Sequence, residues 1–349
     1  MSTKGKILVT GGAGYIGSHT AVELLEAGYE VVVIDNFSNS EPFILDRIHE
    51  ITGKDFAFEE LDLADRSAVA EFFGKYSDLS GIIHFAANKA VGESVEKPLL
   101  YYRNNLVSLM NILEGMIAQD IANLVFSSSC TVYGQPEILP VNETAPMQKA
   151  ESPYGNTKQI SEEIIADAVR AHPSLKGIAL RYFNPIGAHE SGLIGELPRG
   201  VPTNLVPFVT QTAIGLRKEL HVFGNDYDTP DGSCIRDYIH VVDLAKAHVV
   251  AVDRLLKSKN KTNFEWFNLG TGKGVSVLEV VKTFEKVTGI ELNYRIVGRR
   301  PGDIEKVWAD TSFANEELSW KAKLGLDVAL ASAWAWEQKI RKEQPNAVA

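Results

Sequence analysis

The chain has 349 residues, 45% hydrophobic and 23% charged, an ordinary globular composition with length enough for two lobes. A net charge of -10 argues against nucleic acid as the main partner, and no uncharged stretch approaches the ~20 residues of a membrane span. Cys130 and Cys234 lie far apart without metal-ligand spacing and read as free thiols. The apolar residues 7–9 are too few for the core of a signal peptide, so a cytoplasmic protein is expected.

Residues 6–10, Lys-Ile-Leu-Val-Thr, read as a buried parallel strand running into the glycine turn Gly11-Gly12-Ala13-Gly14-Tyr15-Ile16-Gly17. A helix over 15–27 stops at Gly28, and a strand over 31–34 ends at Asp35. The alternation then continues. A strand is predicted over 56–58, a helix over 65–74, a strand over 81–87, a helix over 98–118, a strand over 123–126, a helix over 152–172 and a strand over 176–183. Such alternation with short links predicts an α/β fold with a doubly wound, Rossmann-like parallel sheet.

Beyond Asn184, glycine and proline become frequent, which suggests a smaller mixed α/β lobe. A helix over 239–256 and a strand over 266–269 return to the first lobe, while helices over 275–288 and 327–342 belong to the second. The expected division is interleaved: 1–184 plus about 238–270, and about 185–237 plus 271–349.

The glycine turn has a physical purpose. Glycines at 11, 14 and 17 permit a tight turn, close approach of backbone to a phosphate, and close helix packing. The helix behind them offers unpaired N–H groups and a positive dipole end to a pyrophosphate. Asp35 sits where an acid accepts from ribose hydroxyls and would repel a 2′-phosphate. No basic residue follows until Arg47, so NAD is preferred to NADP.

Ser152 followed by Pro153 predicts a helix start. Tyr154 and Lys158 then share one face of that helix. A phenol ordinarily ionises near pH ~10. A neighbouring ammonium and a nicotinamide cation would draw it down, making tyrosine a usable base. Ser127-Ser128-Ser129 follow a strand end, where open α/β sheets bind ligands, and Ser129 with Thr131 is expected to share the proton. Cys130 lacks a histidine placed to activate it, and His240 and Asp243 lack a third metal ligand. All three are read as structural, and no metal is expected.

With these residues in place, the chain resembles the extended short-chain dehydrogenase/reductase family and, within it, the nucleotide-sugar 4-epimerases. The most specific segments are residues 126–134 (Phe-Ser-Ser-Ser-Cys-Thr-Val-Tyr-Gly), 181–185 (Arg-Tyr-Phe-Asn-Pro), 223–227 (Phe-Gly-Asn-Asp-Tyr) and 236–240 (Arg-Asp-Tyr-Ile-His). The resemblance implies C4 epimerisation of UDP-hexoses through a transient 4-keto sugar, with NAD retained from cycle to cycle. It implies NAD on Gly11, Gly14, Tyr15, Ile16 and Gly17, with Asp35 and Asn36 at the ribose and Asp62 and Leu63 at the adenine. Phe85, Ala86, Lys89, Asn104 and Tyr182 would complete the cofactor site, and Ser129, Tyr154 and Lys158 would carry the chemistry.

The UDP-sugar would meet Ser129, Thr131, Tyr154, Asn184, Asn204, Leu205, Phe223, Arg236, Arg300, Asp303 and Val307. Family members with tyrosine at the position of Val307 tend to exclude N-acetylated sugars, so a small valine implies that UDP-GlcNAc and UDP-GalNAc are also interconverted. The resemblance further implies a homodimer, through helices 98–118 and 152–172. Three rivals stand beside this reading: a 4,6-dehydratase, a dehydrogenase that releases NADH, and a non-catalytic NAD sensor. The first would need the acid pair that Cys130 and Thr131 replace. The second would accumulate NADH, and the third would usually lack the tyrosine or lysine.

Overall fold

The computed structural model describes residues 4–300 and 303–344. The first run of elements is β1 (Lys6–Thr10), α1 (Tyr15–Glu26), β2 (Glu30–Asp35), α2 (Phe43–Thr52), β3 (Ala57–Glu60), α3 (Arg66–Lys75), β4 (Gly81–His84), α4 (Val91–Glu96), α5 (Pro98–Ala118), β5 (Asn123–Ser127), a 3-10 turn (Cys130–Tyr133), α6 (Pro153–Ala171) and β6 (Lys176–Tyr182). There follow β7 (Asn184–Ile186), α7 (Leu205–Ala213), β8 (Leu220–Phe223), β9 (Ile235–Arg236), β10 (Tyr238–His240), α8 (Val241–Leu256), β11 (Phe264–Leu269), β12 (Val275–Ser276), α9 (Val277–Thr288), β13 (Tyr294–Val297), β14 (Lys306–Val307), α10 (Ser312–Leu318) and α11 (Leu326–Glu343).

Among the described residues, seven strands form one parallel sheet in the order β3-β2-β1-β4-β5-β6-β11. The order reverses between β1 and β4, so the expected doubly wound fold is present. The inner strands β1, β2, β4 and β5 are buried on both faces, which is why they read as apolar runs, while the edge strand β3 is only partly buried. Ile7, Val9, Val31 and Val33 pack with α1, α2 and α8 on one face, and Leu8, Val32 and Ile34 pack with α3, α5 and α6 on the other. A third core lies away from the sheet, built from Ile186, Val209, Leu220, Val280, Phe284, Leu330 and Ala333.

The local signals behind these elements are visible. Gly28 has φ 87° and closes α1, with its N–H on the Leu25 carbonyl and that of Tyr29 on Leu24. Ser152 caps α6 through the Gly155 N–H at 3.1 Å, with Pro153 in the first turn.

Other elements depart from expectation. Helix α2 is an addition to the expected elements: only Ile44 and Ile48 of its ten residues are buried, although its left-handed stop at Gly53 is a readable signal. The helix expected over 275–288 begins at Val277, because Val275 and Ser276 pair with β9 and Ser276 then forms a capping box with Glu279. The helix expected from 239 begins at Val241, since Ile239 and His240 belong to β10. Strands β7 to β10 and β12 to β14 are two to four residues long, too short to show a period of two. Of the two expected ranges for the lobes, residues 1–3, 301–302 and 345–349 lie outside the described part.

Four buried histidines give the fold a pH dependence. Burial lowers His19 and His84 to about 3, and His240 and His248 to about 4. Unfolded histidine titrates near 6.5, so below that value the unfolded chain binds protons that the folded chain refuses. Stability therefore rises with pH between about 4 and 6.5 and is lost as pH falls through that window. Thermal unfolding followed by circular dichroism is expected to show Tm dropping steadily from pH 6.5 to pH 4. A flat Tm across that range would refute the assignment of neutral, buried imidazoles.

Candidate active site

The C-terminal ends of β1, β2, β4, β5 and β6 bring the candidate residues together. At the end of β1, Gly11 takes φ 67°, and a Cβ there would lie 2.9 Å from the Ala86 nitrogen. At Gly17 a Cβ would lie 2.1 Å from the Gly11 carbonyl oxygen, so only glycine lets α1 start this close to the turn. Gly14 occupies the N-cap and supplies no side-chain cap to α1. The Asp35 carboxylate, at the end of β2, accepts from the Ala13 N–H at 3.0 Å, the Phe37 N–H at 3.0 Å and the Ser40 hydroxyl at 2.7 Å. It thereby fixes the turn and the loop after β2 relative to each other. A bare cradle, an uncapped helix start and a held acid fit a dinucleotide pyrophosphate and ribose.

Of the other expected cofactor residues, Asn36 and Asp62 are exposed at the ends of β2 and β3. Leu63 is different: its side chain is buried in the core and its carbonyl accepts from Asn111 at 2.8 Å. Phe85 and Ala86 directly follow β4, and Asn104 donates to Asn105 at 3.1 Å.

Tyr154 and Lys158 lie one turn apart on α6 and both are buried. The Lys158 ammonium donates to the Ser127 carbonyl at 2.6 Å and sits 5.8 Å from the centre of the Tyr154 ring. Burial lowers Lys158 to about 8, partly offset by the Glu162 carboxylate one turn further on. Tyr182 donates to or accepts from Ser127 Oγ at 2.6 Å. Burial raises the Tyr154 phenol well above its ordinary value, Tyr182 adds to this, and the hydrogen bond with Ser129 works downward. Of the contributions from the protein's own groups, the hydrogen bond with Ser129 is the largest that works downward. Ser129 Oγ also accepts from the Thr131 N–H at 3.2 Å, and the buried Thr131 hydroxyl has no partner among the described residues. An unpaired buried hydroxyl beside this group fits a bound polar ligand.

Among the expected substrate residues, Arg236 and Asp303 hold each other. Arg236 Nη2 meets Asp303 Oδ1 at 2.6 Å, and Arg236 stands opposite Val307 in the β9–β14 pairing. Arg300 is exposed, with Nη2 beside Gly92 of α4. Lys89 and Asn204 both donate to Glu196 Oε1, at 2.9 Å and 2.6 Å. Asn184 begins β7 and is exposed, Leu205 opens α7, and Phe223 is exposed at the end of β8. Val307 is buried with Val132, Tyr133, Phe183 and Ala309.

Three acids escaped the sequence reading. Glu162 takes both forks of Arg181, at 3.0 Å and 2.5 Å, and accepts the Ser128 hydroxyl at 2.5 Å. It therefore braces the serine strand end against α6. Its place four residues after Lys158 was a usable signal. Asp237 accepts from the N–H groups of Thr271, Gly272 and Ala309, which locks the strand bearing Arg236. Glu196 had no signal, because nothing local marks it. As for the weaker candidates, burial pushes the Cys130 thiol up to about 12, far from a reactive thiolate. His240 Nδ1 accepts from the Val242 N–H, and Asp243 accepts from the N–H groups of Lys323 and Leu324.

The sequence profile of the family described as "GDP-mannose 4,6 dehydratase" matches residues 8–332. The UDP-glucose 4-epimerase of Bacillus subtilis (strain 168) is 54% identical over 331 residues, covering 95% of this chain and 96% of that protein. The UDP-glucose 4-epimerase of Homo sapiens is 52% identical over 340 residues, covering 96% and 97%. A crystal structure of UDP-glucose 4-epimerase from Bifidobacterium longum, in complex with NAD+ and UDP, superposes with a TM-score of 0.91. It is 48% identical, over 98% of this chain and 99% of that one.

Proposed function

This chain belongs to the UDP-glucose 4-epimerase family of the extended short-chain dehydrogenases/reductases, and on that premise we propose that it interconverts UDP-galactose and UDP-glucose by NAD-dependent epimerisation at C4. The observation that carries the proposal is the buried set of Tyr154, Lys158 and Ser129 beside the glycine turn. Gly11, Gly14, Tyr15, Ile16 and Gly17 hold the pyrophosphate. Asp35, Asn36, Asp62 and Leu63 hold the adenosine end, and Phe85, Ala86, Lys89, Asn104 and Tyr182 line the rest of the cofactor. When bound there, NAD supplies a reversible hydride acceptor for C4. Tyr154 takes the proton of the 4-hydroxyl, with Ser129 sharing it, and gives it back from the same phenol after the sugar has turned over. Lys158 supplies the positive charge that favours the phenolate.

Arg236 and Arg300 offer forked donors to the diphosphate, and Asp303 orients Arg236. Asn184, Asn204, Leu205, Phe223 and Thr131 complete the UDP-sugar site. The interleaved division is part of this proposal: 1–184 plus about 238–270 for cofactor, about 185–237 plus 271–349 for UDP-sugar. An apolar core drawn, apart from Tyr238, from the second set supports it, while Ala314, Leu318, Trp320, Trp336 and Ile340 of that set pack into the sheet's core.

Val307 extends the substrate range to UDP-GlcNAc and UDP-GalNAc, because a small side chain leaves room at the sugar's C2. The test is NMR of the purified protein with UDP-galactose and, separately, with UDP-GalNAc. Conversion of both to the gluco epimers is expected. Conversion of neither, with NAD supplied, would reject the function, and conversion of UDP-galactose alone would reject the extended range. Val307→Tyr is expected to cut the N-acetyl activity far more than the hexose activity, and equal losses would remove Val307 from specificity.

We also propose a homodimer in the cytoplasm. No helix among the described residues is long and apolar enough to cross a membrane. Val91, Val95, Leu99, Leu100 and Met110 are exposed along α4 and α5, an apolar face that a second copy would cover. Sedimentation at micromolar concentration is expected to give twice the chain mass, and a monomer would reject this.

A further inference from the structure

The segment between β7 and α7 is fastened to the start of α1 and to two loops at the C-terminal end of the sheet. The Gly187 carbonyl accepts the hydroxyl of Tyr15, in the first turn of α1, at 2.7 Å. Glu196 pairs with Lys89, in the loop after β4, at 2.9 Å. Arg199 spends its whole guanidinium on the loop after β2. Nη1 donates to the Ser38 carbonyl and Nη2 to that of Ser40, both at 2.8 Å, while Nη2 and Nε reach Glu41 at 2.9 Å and 3.1 Å. From behind, Trp336 on α11 donates to the Glu196 carbonyl at 3.0 Å.

Strands β2, β1 and β4 are adjacent in that order, and the sheet reverses between β1 and β4. Ligands of open α/β sheets sit in the crevice at that reversal. The β2 and β4 loops are its two banks, so the segment is a strap pinned on both sides of the crevice. Ser40, gripped through its carbonyl by Arg199, also donates to Asp35. The same latch therefore steadies the acid expected at the ribose.

We propose that Arg199 is a positioning residue that latches this strap across the dinucleotide and slows its departure. This rests on the reading that NAD occupies the crevice. Each bond is partly exposed and weak alone. One guanidinium makes all of them, however, so they are lost together when that end lifts. The reaction returns its hydride in every cycle, so a slow exit costs no turnover.

The test is exchange of bound NAD in the reconstituted protein against an excess of labelled NAD. Arg199→Ala is expected to speed exchange by about tenfold or more, with kcat at saturating NAD and the KM for UDP-galactose close to the parent. Arg199→Lys is expected to restore part of the retention. Glu41→Gln, which leaves both carbonyl bonds, is expected to show a smaller acceleration and keeps the proposal testable should Arg199→Ala fold poorly. Arg66→Ala, which loses an exposed pair with Glu114, serves as the control and is expected to change nothing. Equal exchange in the parent and Arg199→Ala, or equal acceleration by Arg66→Ala, would overturn the strap. A parent protein that binds no added NAD would instead overturn the reading of the crevice.

Discussion

Tyr154→Phe is expected to lower kcat by about 10²–10⁴-fold while bound NAD and UDP-sugar remain in place. The substitution removes one oxygen from a side chain that is 8% exposed and leaves the rest of the buried ring in place. The lost group is the one whose proton affinity is set by burial, by Tyr182 and by Ser129. A structural role would move stability and leave turnover, so the two must be read together. NMR turnover of UDP-galactose gives the rate, and nucleotide absorbance with thermal unfolding reports occupancy and fold. Turnover within tenfold of the parent would remove Tyr154 from proton transfer. Ser129→Ala is a weaker form of the same experiment, because it leaves the phenol and deletes only its partner.

Removing the Glu162 carboxylate is expected to produce the largest stability loss among single changes near the site. Arg181 and Glu162 are 3% and 4% exposed at their side chains, and Arg181 also reaches the Tyr133 hydroxyl at 2.9 Å. Glu162→Ala leaves a buried guanidinium unpaired and strands the Ser128 hydroxyl, at a cost of about 3–5 kcal/mol. The pair itself is worth far less than that, since its attraction is offset by the desolvation of both ions. Arg181→Met combined with Glu162→Leu is therefore expected to recover most of the loss, as measured by denaturant unfolding. A double variant as unstable as Glu162→Ala would contradict this account.

Function follows the same pair. Glu162 raises Lys158 against the effect of burial, so Glu162→Gln lowers the lysine below its present value of about 8. The ammonium form is then lost at a lower pH as pH rises, and activity on the basic side should fall earlier than in the parent. An unchanged basic limb would show that Glu162 acts on stability alone.

The elements read correctly from sequence share a physical cause. Helices α5 and α6 are announced by proline at the first turn, and α6 by a serine cap. The inner sheet strands are apolar on both faces because helices cover both. The second set of elements was barely legible. Strands such as β9, Ile235–Arg236, and β14, Lys306–Val307, are two residues long and exist because each pairs with a neighbour remote in sequence. Nothing in such a dipeptide distinguishes strand from loop.

The site divides in the same way. The spacing Tyr154-x-x-x-Lys158, the glycines at 11, 14 and 17 and the acid at 35 are local patterns, since a turn, a helix face and a strand end impose them within a few residues. The sequence by itself therefore determined the sheet, the glycine cradle and the choice of proton-handling side chains. Only the tertiary structure decided which group tunes Tyr154, that Glu162 braces Arg181 and Ser128, and that Glu196 and Arg199 reach Lys89 and the 38–41 loop. Those effects depend on burial and on partners 19 to 161 positions away. Desolvation and long-range hydrogen bonds are properties of the folded neighbourhood, and no local spacing encodes them.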